Sequence, residues 1–235
     1  MEVKVDRPIL RASIGKKVLM ATTGLGLCLF LVGHLSGNLM LLKQDGGRAF
    51  NEYAEFMASN PAIYLAEAVI FLAFFLHIVQ GLRLAMQNSQ ARPVKYKRNA
   101  GAANSTFYSR FMKWSGILLL IFLILHLFGF FVKYKVLGLW EQNGFAPGDL
   151  YSVVVFTFTA GNLGMVYSIF YILSMVFLSF HLAHGVQSAT QSLGWQVNKK
   201  VTQTVQAIGY GFAILVPAGF AAVPMYFLIA SSGLF

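Results

Sequence analysis

The sequence predicts an all-α protein embedded in a membrane, a bundle of five transmembrane helices forming one domain over residues 1–235. Two observations carry this. Hydrophobic residues make up 57% of the chain and charged residues 11%, with a mean hydropathy of +0.65, whereas a soluble domain carries about a quarter charged residues. The apolar residues also gather into separate stretches, each matching the ~20 helical residues that cross a bilayer core.

The spans fall at about 18–41, 62–86, 114–133, 162–188 and 203–230. Asn60-Pro61 is a helix-start signal for the second, since proline suits the first helical position. Pro217 and Pro224 should bend the fifth, which membrane helices tolerate when neighbours re-satisfy the backbone. Residues 151–158 are expected along the outer surface ahead of the fourth span. The polar, basic N-terminal segment reads as no cleavable leader. The lone Cys28 lies in an apolar stretch and forms no internal disulfide. No nucleic-acid motif is present.

Charge sets the orientation. Lys4, Arg7, Arg11, Lys16 and Lys17 precede the first span. Arg83, Arg92, Lys95, Lys97, Arg98, Arg110 and Lys113 surround the second-to-third connection, and Lys199 and Lys200 precede the fifth span. All lie on one side of a five-span chain. The other side pairs Lys43, Arg48, Lys133 and Lys135 with Asp45, Glu52, Glu55, Glu141 and Asp149. The positive-inside rule puts the N-terminus in the cytoplasm and explains the +10 net charge as topology. A basic inner face could also dock a partner protein.

Four histidines, one in each of the first four spans, have rhyming surroundings. His34 and His126 have glycine three residues on, at Gly37 and Gly129; His77 and His181 have it four residues on, at Gly81 and Gly185. At ~1.5 Å rise per residue, His34 is ~26 Å beyond Lys17 and His126 ~20 Å beyond Lys113, whereas His77 is ~9 Å from Arg83 and His181 roughly 9–15 Å from the inner boundary. His34 and His126 therefore share the outer half, and His77 and His181 the inner half. Each pair comes from parallel spans, which are diagonal in an up-down bundle, where cofactor sites are built on the axis.

The metal type follows by elimination. Two histidines are a poor zinc site, which wants four ligands. No Cys-x-x-Cys-His motif exists for covalent haem attachment. Two axial imidazoles suffice for low-spin haem iron, because the porphyrin supplies the other four nitrogens. The first four spans thus read as a haem-binding four-helix bundle with two haem b. The glycines one turn after each histidine would let a ring edge approach the backbone. A lone intramembrane histidine, by contrast, is commonly just an interhelical hydrogen-bond partner. His184 competes with His181 in the fourth span; the glycine spacing favours His181 and leaves His184 either supporting the ligand or facing a propionate.

The stretch Ala21-Thr22-Thr23-Gly24 through Leu31-Val32-Gly33-His34, followed in order by His77, His126 and His181, resembles the di-haem cytochrome b membrane anchor of succinate dehydrogenase and fumarate reductase in its five-span form. The likeness covers nearly the whole chain. It implies a multi-pass protein of the bacterial cytoplasmic (inner) membrane, with a flavoprotein subunit and an iron–sulfur subunit on the cytoplasmic side. Electrons would pass between the iron–sulfur subunit and membrane quinone, menaquinone in many five-span members. This chain would be the electron-transfer and quinone-reactive part of the complex, non-catalytic for succinate itself. Met20 and Ala21 stand where some relatives place polar contacts to a haem propionate, so Arg83, Ser13 or Lys16 and Lys17 are expected to meet the propionates instead.

Glu67 is the acid inside a span, at the level of the outer histidines; burial should fit it to proton exchange or quinone contact, or equally to a structural hydrogen bond, with Glu52 and Glu55 of the outer loop as surface alternatives. The aromatic residues Phe130, Phe131 and Tyr134 follow His126 and could flank a haem or quinone ring. A di-haem cytochrome b anchor of a hydrogenase, formate dehydrogenase or nitrate reductase needs the same paired histidines. A haem-free transporter would need a charged path through the bundle.

Overall fold

The computed structural model describes residues 13–90 and 107–231. The expected inner-side cations Lys4, Arg7, Arg11, Arg92, Lys95, Lys97 and Arg98 lie outside the described residues. The described chain is all-α, with eight α-helices: α1 (Ser13–Leu39), α2 (Arg48–Ser59), α3 (Pro61–Gln90), α4 (Phe107–His126), α5 (Leu139–Gln142), α6 (Leu150–Thr159), α7 (Gly161–Ser192) and α8 (Lys199–Ser231).

Five stretches are long and apolar enough to cross a membrane: Ile14–Leu42, Pro61–Gln87, Ser109–Val136, Gly161–Ser192 and Lys199–Ser231. Each overruns the apolar run on which it was expected. The sequence marks where hydrocarbon-compatible residues stop, whereas backbone hydrogen bonding carries a helix on into interfacial residues such as Lys16 and Lys17. Large apolar side chains point outward: Leu29 is 76% exposed, Leu163 74% and Leu215 71%. A water-soluble chain rarely leaves so much contiguous apolar surface uncovered, and lipid would cover it here. The five candidate spans and this outward apolar surface together suggest a multi-pass membrane protein.

Side-chain caps begin several helices. Asn60 accepts from the Ala62 amide at 3.0 Å just ahead of Pro61, as the sequence signal required. Asn198 accepts from Val201 at 2.9 Å before α8. Pro217 and Pro224 are buried within α8, and the helix runs through both.

α1 packs on α3 and α7, and α4 packs on α7, while α3 touches α4 lightly. These four spans close a ring. Among the described residues, the diagonals α1 to α4 and α3 to α7 stay apart, as the up-down arrangement predicts. α8 lies outside the ring against α7 and α1. It comes closest at Gly219, where a Cβ would sit 3.0 Å from Leu35 side-chain carbons.

Two features depart from the expected helices. The third span widens after His126 into a π-helix, Leu127–Val136, closed by a Leu137 amide bond to Val132 O at 2.9 Å. Segment 151–158 lies within α6 and is not a surface strip. Val153 is fully buried, and Val154 and Phe158 are nearly so, the latter two in a cluster with Leu41, Phe50, Tyr171, Val223 and Phe227. Together α2 and α6 cap the end of the bundle opposite the N-terminus. Asn51 ties them, donating to Asp149 Oδ1 at 2.9 Å and accepting from the Tyr151 amide at 2.8 Å.

Candidate cofactor sites: two histidine pairs across the bundle

Both diagonals are bridged by histidines. The rings of His34 on α1 and His126 on α4 lie 5.9 Å apart between centroids, with planes inclined at 80°. Those of His77 on α3 and His181 on α7 lie 6.2 Å apart, inclined at 65°. The pairing expected from depth alone is the pairing found. Among the described residues there is no cluster of three or more His, Cys, Asp or Glu side chains able to hold a metal ion.

The inner pair is held by a repeated device. Thr23 donates its hydroxyl to Leu19 O at 2.7 Å and lies 3.2 Å from His77 Nδ1. Ser115 donates to Met112 O at 3.0 Å and lies 3.4 Å from His181 Nδ1. A hydroxyl has one proton to give. With that proton on a carbonyl, the oxygen accepts from the imidazole, placing the ring proton on Nδ1 and leaving the Nε2 lone pair free. This tautomer follows from the hydrogen-bond network, and it is the one that metal-ligating histidines adopt when their other nitrogen is held. The residues after the hydroxyls are glycines that each lie against a ring, tightly at Gly24 and in ordinary contact at Gly116. A Cβ on Gly24 would lie 3.3 Å from His77 Cε1, and one on Gly116 would lie 3.7 Å from His181 Cε1.

The outer pair is held differently. His34 stacks on Phe30 at 5.2 Å and 15°, and His126 on Phe122 at 5.5 Å and 20°. His126 Nδ1 lies 3.3 Å from the Tyr171 hydroxyl, and Phe220 of α8 lies 5.6 Å from His34.

These contacts relate α1 and α3 to α4 and α7 as two similar halves. Thr23-Gly24 precedes His34 by the spacing at which Ser115-Gly116 precedes His126, and Phe30 matches Phe122 in the same register. Met20 Cε reaches 3.7 Å from the Cβ position of Gly81, and Met112 Cε 4.0 Å from that of Gly185. Glu67 and Tyr171 likewise occupy equivalent places, each ten residues before its histidine. Thr23, Ser115 and Tyr171 were not among the expected site residues. Superposing the histidines of spans one and three would have exposed the shared hydroxyl-glycine step, but Tyr171 carries no such signal.

Several expectations change. The glycines after the histidines are not all clefts beside the rings. Gly37 is filled by the Tyr53 ring, and Gly81 and Gly185 face the methionines, while Gly129 has open space. Glu67 is no isolated buried acid: Lys135 donates to its Oε2 at 2.6 Å. Lys135 also lies over the Tyr64 and Phe131 rings, at 5.3 and 5.4 Å. The π-helix carries Lys135 to this contact. His184 is half-buried one turn from His181, and Arg83 is exposed near the N-terminal side of the bundle. Phe130 lies 5.6 Å from His126, and Phe131 packs on Phe71 at 5.3 Å.

Each couple offers two imidazoles that would hold one haem iron, His34 with His126 and His77 with His181. Imidazole nitrogens bind metal at ~2 Å, so a single metal ion held by two imidazoles would suit ring centroids about 6 Å apart. Both pairs have that separation. The chain matches no protein-family model, no curated protein and no solved structure.

Proposed function

We propose that this chain is a di-haem cytochrome b membrane anchor of a succinate:quinone oxidoreductase, carrying electrons between a cytoplasmic iron–sulfur subunit and membrane quinone. The observation that supports it best is the pair of diagonal histidine couples, each with a ring separation suited to one iron, the inner couple also presenting free Nε2 lone pairs. Haem iron, when bound, supplies reversible one-electron chemistry at two depths in the bilayer.

The protein's own part is positional and electrostatic. Thr23 and Ser115 fix the inner imidazoles in the ligating tautomer. Phe30 and Phe122 hold the outer imidazoles by stacking, and Tyr171 anchors His126. The apolar bundle keeps water from both pairs. Glu67 and Lys135, on the side opposite the N-terminus, form a charged pair at the level of the outer couple. There they could exchange protons or hydrogen bonds with a quinone, menaquinone by family resemblance. The positive-inside distribution places the N-terminus, and the docking face for the flavoprotein and iron–sulfur subunits, in the cytoplasm. The membrane is then the bacterial cytoplasmic membrane.

A reduced-minus-oxidised spectrum of the purified chain, with haem counted per polypeptide, tests the reading. Two b-type haems per chain are expected; a chain isolated from a haem-sufficient host with no b-type signal would overturn it. Subunits that co-purify with the native protein decide the complex. A flavoprotein with an iron–sulfur protein supports succinate or fumarate chemistry, whereas hydrogenase, formate dehydrogenase or nitrate reductase subunits replace that assignment.

A further inference from the structure

Gln80 on α3 is 6% exposed, yet among the described residues its amide nitrogen Nε2 has no hydrogen-bond partner. An unmet buried donor is costly, more so where lipid rather than water surrounds the bundle. Its position is specific. It follows His77 by three residues, so it shares that face of the helix one turn nearer the N-terminal side. The equivalent position after His181 also holds a polar donor, His184, and each stands immediately before its glycine, Gly81 or Gly185. A second unpartnered buried amide, Gln187 Nε2, lies one turn beyond His184. Polar groups thus gather on the N-terminal side of the inner couple, while Phe30 and Phe74 pack together within the bundle at 5.9 Å.

We propose that Gln80 is a carboxylate-binding residue of the inner site, donating its amide N–H to a haem propionate, with His184 facing the second carboxylate from the other half of the bundle. This rests on the haem reading above. The chemistry suits the location. A neutral amide gives a charge-assisted hydrogen bond to a carboxylate without bringing a second ion into the bundle. Propionates of the inner site are also drawn to the nearer water, which lies past Gln80 toward Arg83. Gln80 then joins Arg83, which the sequence offered for the propionates beside Ser13, Lys16 and Lys17.

The test uses the full-length chain, purified without haem in detergent and titrated with iron protoporphyrin IX or with its dimethyl ester. The ester keeps the iron and the ring but has no free carboxylate. The wild type should take up two equivalents of the free acid. Gln80→Leu should weaken one of the two uptake events about ten-fold for the free acid and leave uptake of the ester unchanged. Gln80→Glu should weaken acid uptake further by charge repulsion, again sparing the ester. Gln80→His, which puts at position 80 the donor already used at 184, should restore the acid preference. Variants that lose acid and ester equally, or lose neither, overturn the carboxylate role while the haem reading stands. Failure of the wild type to bind either porphyrin overturns both.

Discussion

The inner and outer histidine couples are built on the same two diagonals, yet their surroundings differ in kind. The inner couple is nearly symmetric: a hydroxyl-glycine step on a neighbouring helix holds each ring, Thr23-Gly24 for His77 and Ser115-Gly116 for His181. The outer couple keeps the symmetric phenylalanine stacking but breaks the polar half. Tyr171 reaches His126, whereas its counterpart Glu67 turns to Lys135. Similar halves thus make one site of matched hydrogen bonds and one flanked by an ion pair. Hydrogen bonding around ligands tunes redox potential, so this difference separates two otherwise similar sites. It also leaves a charged pair, Glu67 with Lys135, at about the depth of the outer couple.

The largest expected effect comes from removing a ring. His77→Leu or His181→Leu should lower the haem count from two per chain to one and leave the outer couple's spectrum, with His34→Leu and His126→Leu doing the converse. Loss of both haems from every single variant would mean that the couples do not behave as separate sites.

Next in size is the ion pair. Glu67→Gln should keep both haems but impair quinone-dependent turnover of the native complex, with Lys135→Met doing the same. Unchanged turnover in Glu67→Gln would confine the pair to a structural role.

The hydroxyl braces should matter less. Thr23→Val or Ser115→Ala should shift the midpoint potential of the inner haem by about 20–60 mV, the one-electron equivalent of a lost neutral hydrogen bond. Tyr171→Phe should move the outer haem instead. A redox titration with equal shifts at both haems in all three variants would erase the distinction between the couples.

The smallest effect lies at the cap over the outer couple. Burial pushes the Asp149 carboxyl up, but hydrogen bonds from the Ser152 and Asn51 side chains and the Ser152 amide outweigh it and hold its pKa below the usual 3.8. A lowered folded-state pKa gives stability that is full above the unfolded value and is lost as pH falls through the folded one. Thermal unfolding in detergent should therefore weaken modestly below about pH 4, and Asp149→Asn should flatten that dependence. The effect is small because the carboxyl is partly open to solvent.

The sequence by itself determined the five spans, their alternation and the partners within each histidine couple. Hydropathy and helical rise are one-dimensional quantities, and a membrane converts position along the chain into depth. His34 could meet His126 and not His77 because only one of them shares its level. Tertiary structure decided what each ring touches. Whether Gly37 would be open or filled depended on Tyr53, from a loop helix, and whether Glu67 would be a lone acid depended on Lys135, from the far end of another span. The π-helix after His126 and the burial of α6 are likewise products of packing, since neither register nor depth separates a capping helix from one lying on the surface. Lateral neighbours around a bundle are set by side-chain fit among helices, and no periodicity in a single chain records that fit.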